Sequence, residues 1–271
     1  MTFSAKEMIK QRKSVRTFDG KALSDEDRNN LENYINSLSN PFDVPIYFRL
    51  LDAKEHQLSS PVIVGEHTYL AAKVKREGNF EIAFGYSFEK ACLYAESLGI
   101  GTVMLAASLS RGAFEKAMDV QSDEVLPLAS PVGYPAEKRS IRESLMRKGL
   151  KADERIAFGE LFFEGYFDKA LSKEAAGEFT DALEMLRLSP SAGNNQPWRA
   201  VIDGSKVHFY ERKSMKDSPL GDIQKVDLGI ALCHFDMTME ESGASGRFLF
   251  EDPGIKLPES ICYIASYERI G

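Results

Sequence analysis

The sequence predicts an α+β fold, an internally duplicated pseudo-dimer in which each half contributes strands to a mixed, largely antiparallel sheet flanked by helices. Two observations carry this reading. Three blocks recur in the same order, and two glycine pairs, Gly85 with Gly229 and Gly99 with Gly243, keep one spacing of 144 residues. Fixed-order self-similarity of this kind marks a repeated supersecondary unit.

The first block spans residues 23–52 and recurs at 171–203. Each copy opens with Leu-Ser before a charged turn, so Ser24 and Ser172 are expected N-caps, with Asp27 as a capping-box partner in the first copy. Leu31, Tyr34, Ile35 and Leu38 mark one face of the first helix, as Phe179, Leu183, Leu186 and Leu188 do in the second. Both helices run into a polar loop containing proline, which stops them, and a short apolar strand follows. The second block pairs residues 84–101 with 228–246, a long apolar helix ended by glycine at its C-cap. The third pairs Leu126-Pro127, before the strand-like ASPVGY, with Leu257-Pro258, before ICYIASY. The long helices are expected to pack together, and the halves divide as 1–165 and 166–271.

Composition narrows the function. A chain of 271 residues with 43% hydrophobic and 28% charged residues can bury one large core or two smaller ones. No apolar run approaches the roughly 20 residues that span a bilayer, and the N-terminal stretch lacks a signal-peptide core, which predicts a cytoplasmic protein with no membrane partner. The net charge of −7 argues against a nucleic-acid partner but leaves room for a local basic patch. Cys92, Cys233 and Cys262 show no metal-ligand spacing and are expected as buried thiols. His56, His67, His208 and His234 likewise suggest surface or satisfied core roles, so no metal is predicted.

The halves differ in what they carry. Arg12-Lys13-Ser14-Val15-Arg16 has no counterpart before Leu171, and Pro190-Ser191-Ala192-Gly193-Asn194-Asn195-Gln196-Pro197-Trp198 replaces the plainer SNPFDVPIY of the first half. One site shared across a pseudo-two-fold axis would leave that pattern, since only one of two equivalent sites needs to be kept. Taken singly, the basic stretch reads as a solvated patch, the loop as a rigid turn with Trp198 as core anchor, and Gly99 and Gly101 as a helix cap and turn. Glu81 and Glu89 read as a solvated helix edge.

Together the two motifs resemble the FMN-dependent nitroreductase family, which carries an R-x-S-x-R type stretch near its start and a P-S-A-x-N-x-Q-P-W type loop. SLGIGTVMLAAS at 97–108 and VGYPAEK at 132–138 are similar to later blocks of that family. Its members are usually homodimers with FMN at the interface. Both contributions lie in one chain here, as in a branch with two fused half-copies, which implies one FMN per chain and favours a monomer over a homodimer. The resemblance places Arg12, Lys13, Ser14 and Arg16 at the phosphate, ribityl chain or N1/O2 edge, where arginine forks and positive charge suit the cofactor. Pro190, Ser191, Ala192 and Asn194 would line the ring and ribityl chain, and Met104, Leu105, Ala106 and Ala107 would pass near the ring. Arg155, or alternatively Arg142, resembles a late phosphate contact.

The implied reaction is ping-pong: NADH or NADPH reduces the flavin, and a nitroaromatic or quinone-type acceptor is then reduced. No side chain is assigned as catalytic, because the protein supplies position and charge. Other flavin chemistry, such as dehalogenation or dehydrogenation, and non-enzymatic FMN binding stay open.

Overall fold

The computed structural model describes residues 3–138 and 140–270, without the side chains of Ile141, Arg142 and Arg147. The alternative phosphate contact at Arg142 therefore lies outside what is described. The chain opens on α1 (Ala5–Gln11). The first half continues with α2 (Asp25–Asn36), β1 (Ile46–Asp52), β2 (Thr68–Lys75), α3 (Phe80–Ser97), β3 (Gly101–Thr102), α4 (Arg111–Ala117), β4 (Glu124–Val125) and β5 (Ala129–Gly133). A connecting stretch holds α5 (Ile141–Gly149), α6 (Phe158–Leu161) and β6 (Phe162–Glu164). The second half supplies α7 (Thr180–Arg187), β7 (Trp198–Asp203), β8 (Lys206–Arg212), α8 (Ile223–Glu241), β9 (Gly246–Leu249) and β10 (Ile261–Arg269).

Each half builds its own sheet. The orders β1-β2-β5-β3 and β7-β8-β10-β9 are the same topology repeated, with antiparallel pairing throughout both paths. β4 adds to β2, and β6 adds in parallel to β7. Because β6 precedes residue 165, the segment counted by sequence with the first half completes the sheet of the second.

α3 and α8 are buried on nearly every face, which explains why their sequences are apolar without a strong stripe. They cross at Gly85 and Gly229. A Cβ on Gly85 would stand 2.0 Å from the carbonyl oxygen of Val226, and one on Gly229 would stand 2.0 Å from that of Ile82. Val226 follows Ile82 by the same 144 residues, so the contact is self-equivalent, as an isologous dimer interface would be. Both helices end alike, with Gly99 at φ +74° and Gly243 at φ +82°.

Two local expectations change. Ser24 caps α2 by accepting the Asp27 N–H, but Ser172 caps only the turn at 173–176, accepting from Ala175 N. Gly177 at φ +54° interrupts the helix there, and α7 proper starts at Thr180. Cys262 is exposed rather than buried, because it points outward near the start of β10, whereas Cys92 and Cys233 lie in the core.

Candidate functional site

The Ser4 hydroxyl caps α1 and also donates to Glu241 at the end of α8 at 2.6 Å, which ties the start of α1 to α8. Residues 12–18 then run extended. Val15 N donates to Thr102 O at 2.9 Å, Val64 N donates to Arg16 O at 3.0 Å, and Phe18 N donates to Val64 O at 2.8 Å. Val15 and Phe18 are buried in a small apolar cluster with Ile63, Val103 and Leu105. Arg12, Lys13, Ser14 and Arg16 line a cavity of about 450 Å³ between the halves.

Residues 103–108, beyond β3, form a second wall. Leu105 and Ala129 exchange backbone hydrogen bonds at 2.9 and 3.1 Å. Arg111 reaches back to donate to Ala106 O at 2.6 Å and Leu126 O at 2.7 Å, and burial lowers its pKa. Met104, Leu105, Ala106 and Ala107 all face the cavity.

The second half contributes the loop after α7. Gly193 and Asn194 take left-handed φ of 61° and 57°, which turns the chain through a single 3₁₀ turn at Ala192–Asn194. The loop is tied down on three sides. Ser191 Oγ accepts from Gln196 N at 2.9 Å, and buried Gln196 accepts from Ile156 N at 2.9 Å. Asn194 Nδ2 donates to Lys151 O at 2.8 Å and Glu154 O at 3.1 Å. Trp198 is fully buried at the start of β7, anchoring the loop end in the core.

All thirteen residues assigned from sequence to cofactor binding therefore line this one cavity. Arg155 does so while donating to Ala152 O, Glu154 O and Leu188 O at 2.8 to 3.1 Å, the geometry of a clamp across both ends of the loop region.

Sequence reasoning missed several groups. Ile223, Asp227 and Ile230 on α8 line the same cavity. Asp227 is buried, its two carboxylate oxygens accept from Ala192 N at 3.1 and 3.0 Å, and burial pushes its pKa well above the usual carboxylate range. Inside an apolar helical run it gave no local signal. Glu89 was expected at a solvated helix edge and is instead fully buried on α3. Its Oε1 lies 3.2 Å from Arg12 Nε and 2.7 Å from His234 Nε2. His234 Nδ1 lies 3.0 Å from Met185 O and 2.9 Å from Ser189 Oγ. Glu81 is half-buried and accepts from Asp222 N at 3.3 Å. Among the described residues no group of three or more His, Cys, Asp or Glu could hold a metal ion, and no helix is long and apolar enough to cross a membrane.

Two copies of one α/β unit, fused and enclosing a cleft with a basic end and an apolar wall, define the class of protein. Within it, the chain belongs to the nitroreductase family described as "Putative TM nitroreductase", whose model matches residues 4–239. A crystal structure described as a putative nitroreductase from Thermotoga maritima is 20% identical and superposes over 100% of this chain and 94% of its own, with a TM-score of 0.64. At that identity the likeness establishes the fold. A nitroreductase with bound FMN from Bacteroides fragilis matches 51% of this chain and 92% of its own at 15% identity and a TM-score of 0.42. A putative NADH dehydrogenase/NAD(P)H nitroreductase from Bacteroides thetaiotaomicron matches 51% and 90% at 22% identity and 0.43. No curated protein sequence matches the chain.

Proposed function

We propose that the chain is an FMN-dependent NAD(P)H oxidoreductase that reduces nitroaromatic or quinone-type acceptors, with one flavin per chain in a monomer. The observation that carries this reading is the meeting of the two motifs, Arg12–Arg16 from one half and Pro190–Asn194 from the other, on a single cavity. Its volume, about 450 Å³, falls within the roughly 300–1,000 Å³ of small-molecule sites.

The residues fit FMN part by part. Arg12, Lys13 and Arg16 give a cluster of cationic donors suited to a phosphate and to negative charge on a reduced ring. Val103, Met104, Leu105, Leu128, Ile223 and Ile230 offer an apolar surface for a flat aromatic system. Pro190, Ser191, Ala192 and Gly193 keep the facing loop thin, so its backbone can approach a planar ligand closely. Bound FMN would supply hydride transfer; the chain's own residues bind, orient and shield it from water. The fixed Arg12 charge and the rigid 188–196 loop serve that orientation. Family membership supports the oxidoreductase class, while the reductant and acceptor belong to this proposal.

The test is the visible absorption spectrum of the purified protein titrated with FMN, beside Arg12→Ala and Asn194→Ala. A flavin spectrum saturating at one FMN per chain and weakened by both substitutions supports the reading, and NAD(P)H oxidation with added acceptors then separates an enzyme from a mere binder. A protein that leaves the FMN spectrum unchanged at every concentration is not a flavoprotein.

A further inference from the structure

Arg12 and Ser189 come from opposite halves, yet a buried chain of polar groups joins them: Arg12 Nε lies 3.2 Å from Glu89 Oε1, an ion-pair distance without hydrogen-bond geometry, Glu89 Oε1 hydrogen-bonds with His234 Nε2 at 2.7 Å, and His234 Nδ1 with Ser189 Oγ at 2.9 Å. Glu89 is 0% exposed, His234 1% and Ser189 0%. Arg12 belongs to the first motif of the cavity, and Ser189 immediately precedes the second. Glu89 and His234 stand on α3 and α8, the two helices that form the seam between halves.

Burying this set is costly unless it does something. A carboxylate, an imidazole and a guanidinium withdrawn from water carry desolvation penalties that well-packed apolar residues would avoid. Pseudo-symmetry gives no reason for them: the 144-residue offset carries Glu89 to Cys233 and His234 to Lys90, so neither group is a duplicated structural element. The neighbouring charges are few. Glu96 lies on the same face of α3, about two turns beyond Glu89, and feels both Arg12 and Lys13; Lys13 stands beside Arg12 on the cavity wall.

We propose that Glu89 and His234 are positioning residues that hold the Arg12 guanidinium through the ion pair at its Nε edge, so that its terminal amino groups serve the phosphate of a phosphorylated cofactor, and that lock this anion end to the loop beginning at Ser189. Arginine fixed in this way needs no further ordering when the anion arrives, which preserves affinity otherwise lost to side-chain entropy. Glu89 touches Arg12 and not the cofactor, so it acts through the arginine. The inference rests on the flavin reading above.

The experiment compares FMN with riboflavin, which has the same ring and ribityl chain but no phosphate. Dissociation constants for both are measured by flavin fluorescence for the wild type, Glu89→Gln, His234→Gln, Arg12→Ala and the Arg12→Ala/Glu89→Gln double variant, with circular dichroism confirming each fold. We expect Glu89→Gln to weaken FMN by roughly tenfold to a hundredfold, the worth of one charge-assisted contact, with riboflavin nearly unchanged. His234→Gln should move the same ratio in the same direction, which keeps the test alive if Glu89→Gln does not fold. In the Arg12→Ala background Glu89→Gln should add nothing. Equal weakening of FMN and riboflavin would mean a purely structural role and overturn the inference, as would unchanged binding or full additivity with Arg12→Ala. A wild type that binds neither flavin overturns the cofactor reading instead.

Discussion

Gly85 and Gly229 face each other's helices across the centre of the molecule, and each leaves room for the partner backbone that a single methyl would take away. The constraint is tight, because the obstacles are backbone atoms of buried helices rather than movable side-chain ends. Gly85→Ala and Gly229→Ala should each destabilise the protein by more than about 3 kcal/mol, the upper end of overpacking costs in a core. Because the two contacts are equivalent, the two losses should be alike. Urea denaturation of both variants measures this, and a loss below about 1 kcal/mol in either would mean that the helices slide apart at little cost.

The repeat itself was legible because glycine spacing and helix periodicity survive in linear sequence. So were the two motifs, whose residues are consecutive and whose chemistry is carried by side-chain type. Glu89 was not legible. Its burial depends on His234, 145 residues away, and on Arg12, and nothing local distinguishes it from a charge on an exposed helix edge. Asp227 was hidden for the opposite reason, as a lone carboxyl in an apolar run whose partner is a backbone N–H of a distant loop. The break at Gly177 shows a third limit: the Leu-Ser opening of the first copy predicted the same helix start in the second, but a left-handed glycine five residues on moved it to Thr180.

Asp227 gives the protein a pH signature. Its pKa is raised in the folded state by burial, so between the unfolded value near 4 and the folded value the native protein holds more protons than the unfolded chain. Stability therefore falls as pH rises through that window and is not regained above it. Asp227→Asn keeps a carbonyl oxygen to accept from Ala192 N and removes the ionisation. The melting temperature of this variant should exceed that of the wild type at pH 8 and approach it at pH 4; a constant difference across that range would mean that Asp227 does not titrate in the way its burial dictates.

Arg155, expected from the resemblance as a phosphate contact, lines the cavity but has the bonds of a clamp. Its terminal nitrogens donate to Ala152 O, Glu154 O and Leu188 O and lie 3.4 Å from Asn194 Oδ1, so they join the 151–155 segment to the loop that precedes β7. Arg155→Met should loosen residues 188–196, seen as faster amide hydrogen exchange there, and weaken FMN and riboflavin together. A selective loss of FMN with no change in exchange would return Arg155 to the phosphate.

On the proposed reading one of two pseudo-equivalent places, and not both, binds flavin, and the sequence of the duplicated halves supplies a reason. The 144-residue offset carries the cavity residues Ile223, Asp227 and Ile230 onto Asn79, Ala83 and Tyr86, and Met104 and Ala106 onto Phe248 and Phe250. Where the first place has Ile230, Met104 and Ala106, the equivalent place holds the rings of Tyr86, Phe248 and Phe250. Phe42, from the plainer loop of the first half, lies 5.7 Å from the ring of Tyr86, 5.6 Å from Phe248 and 5.8 Å from Phe250. Phe248 packs edge-on against Tyr267 at 5.5 Å. Rings at these separations and angles gain packing energy beyond their buried area, so the second place is filled and stabilised as core. Phe42→Ala should therefore cost about 3–5 kcal/mol, as large-to-small changes of buried aromatics do, and leave flavin stoichiometry at one. Denaturation and a calorimetric FMN titration check both parts. A second equivalent of FMN bound by Phe42→Ala would instead reveal a latent site kept closed by one ring.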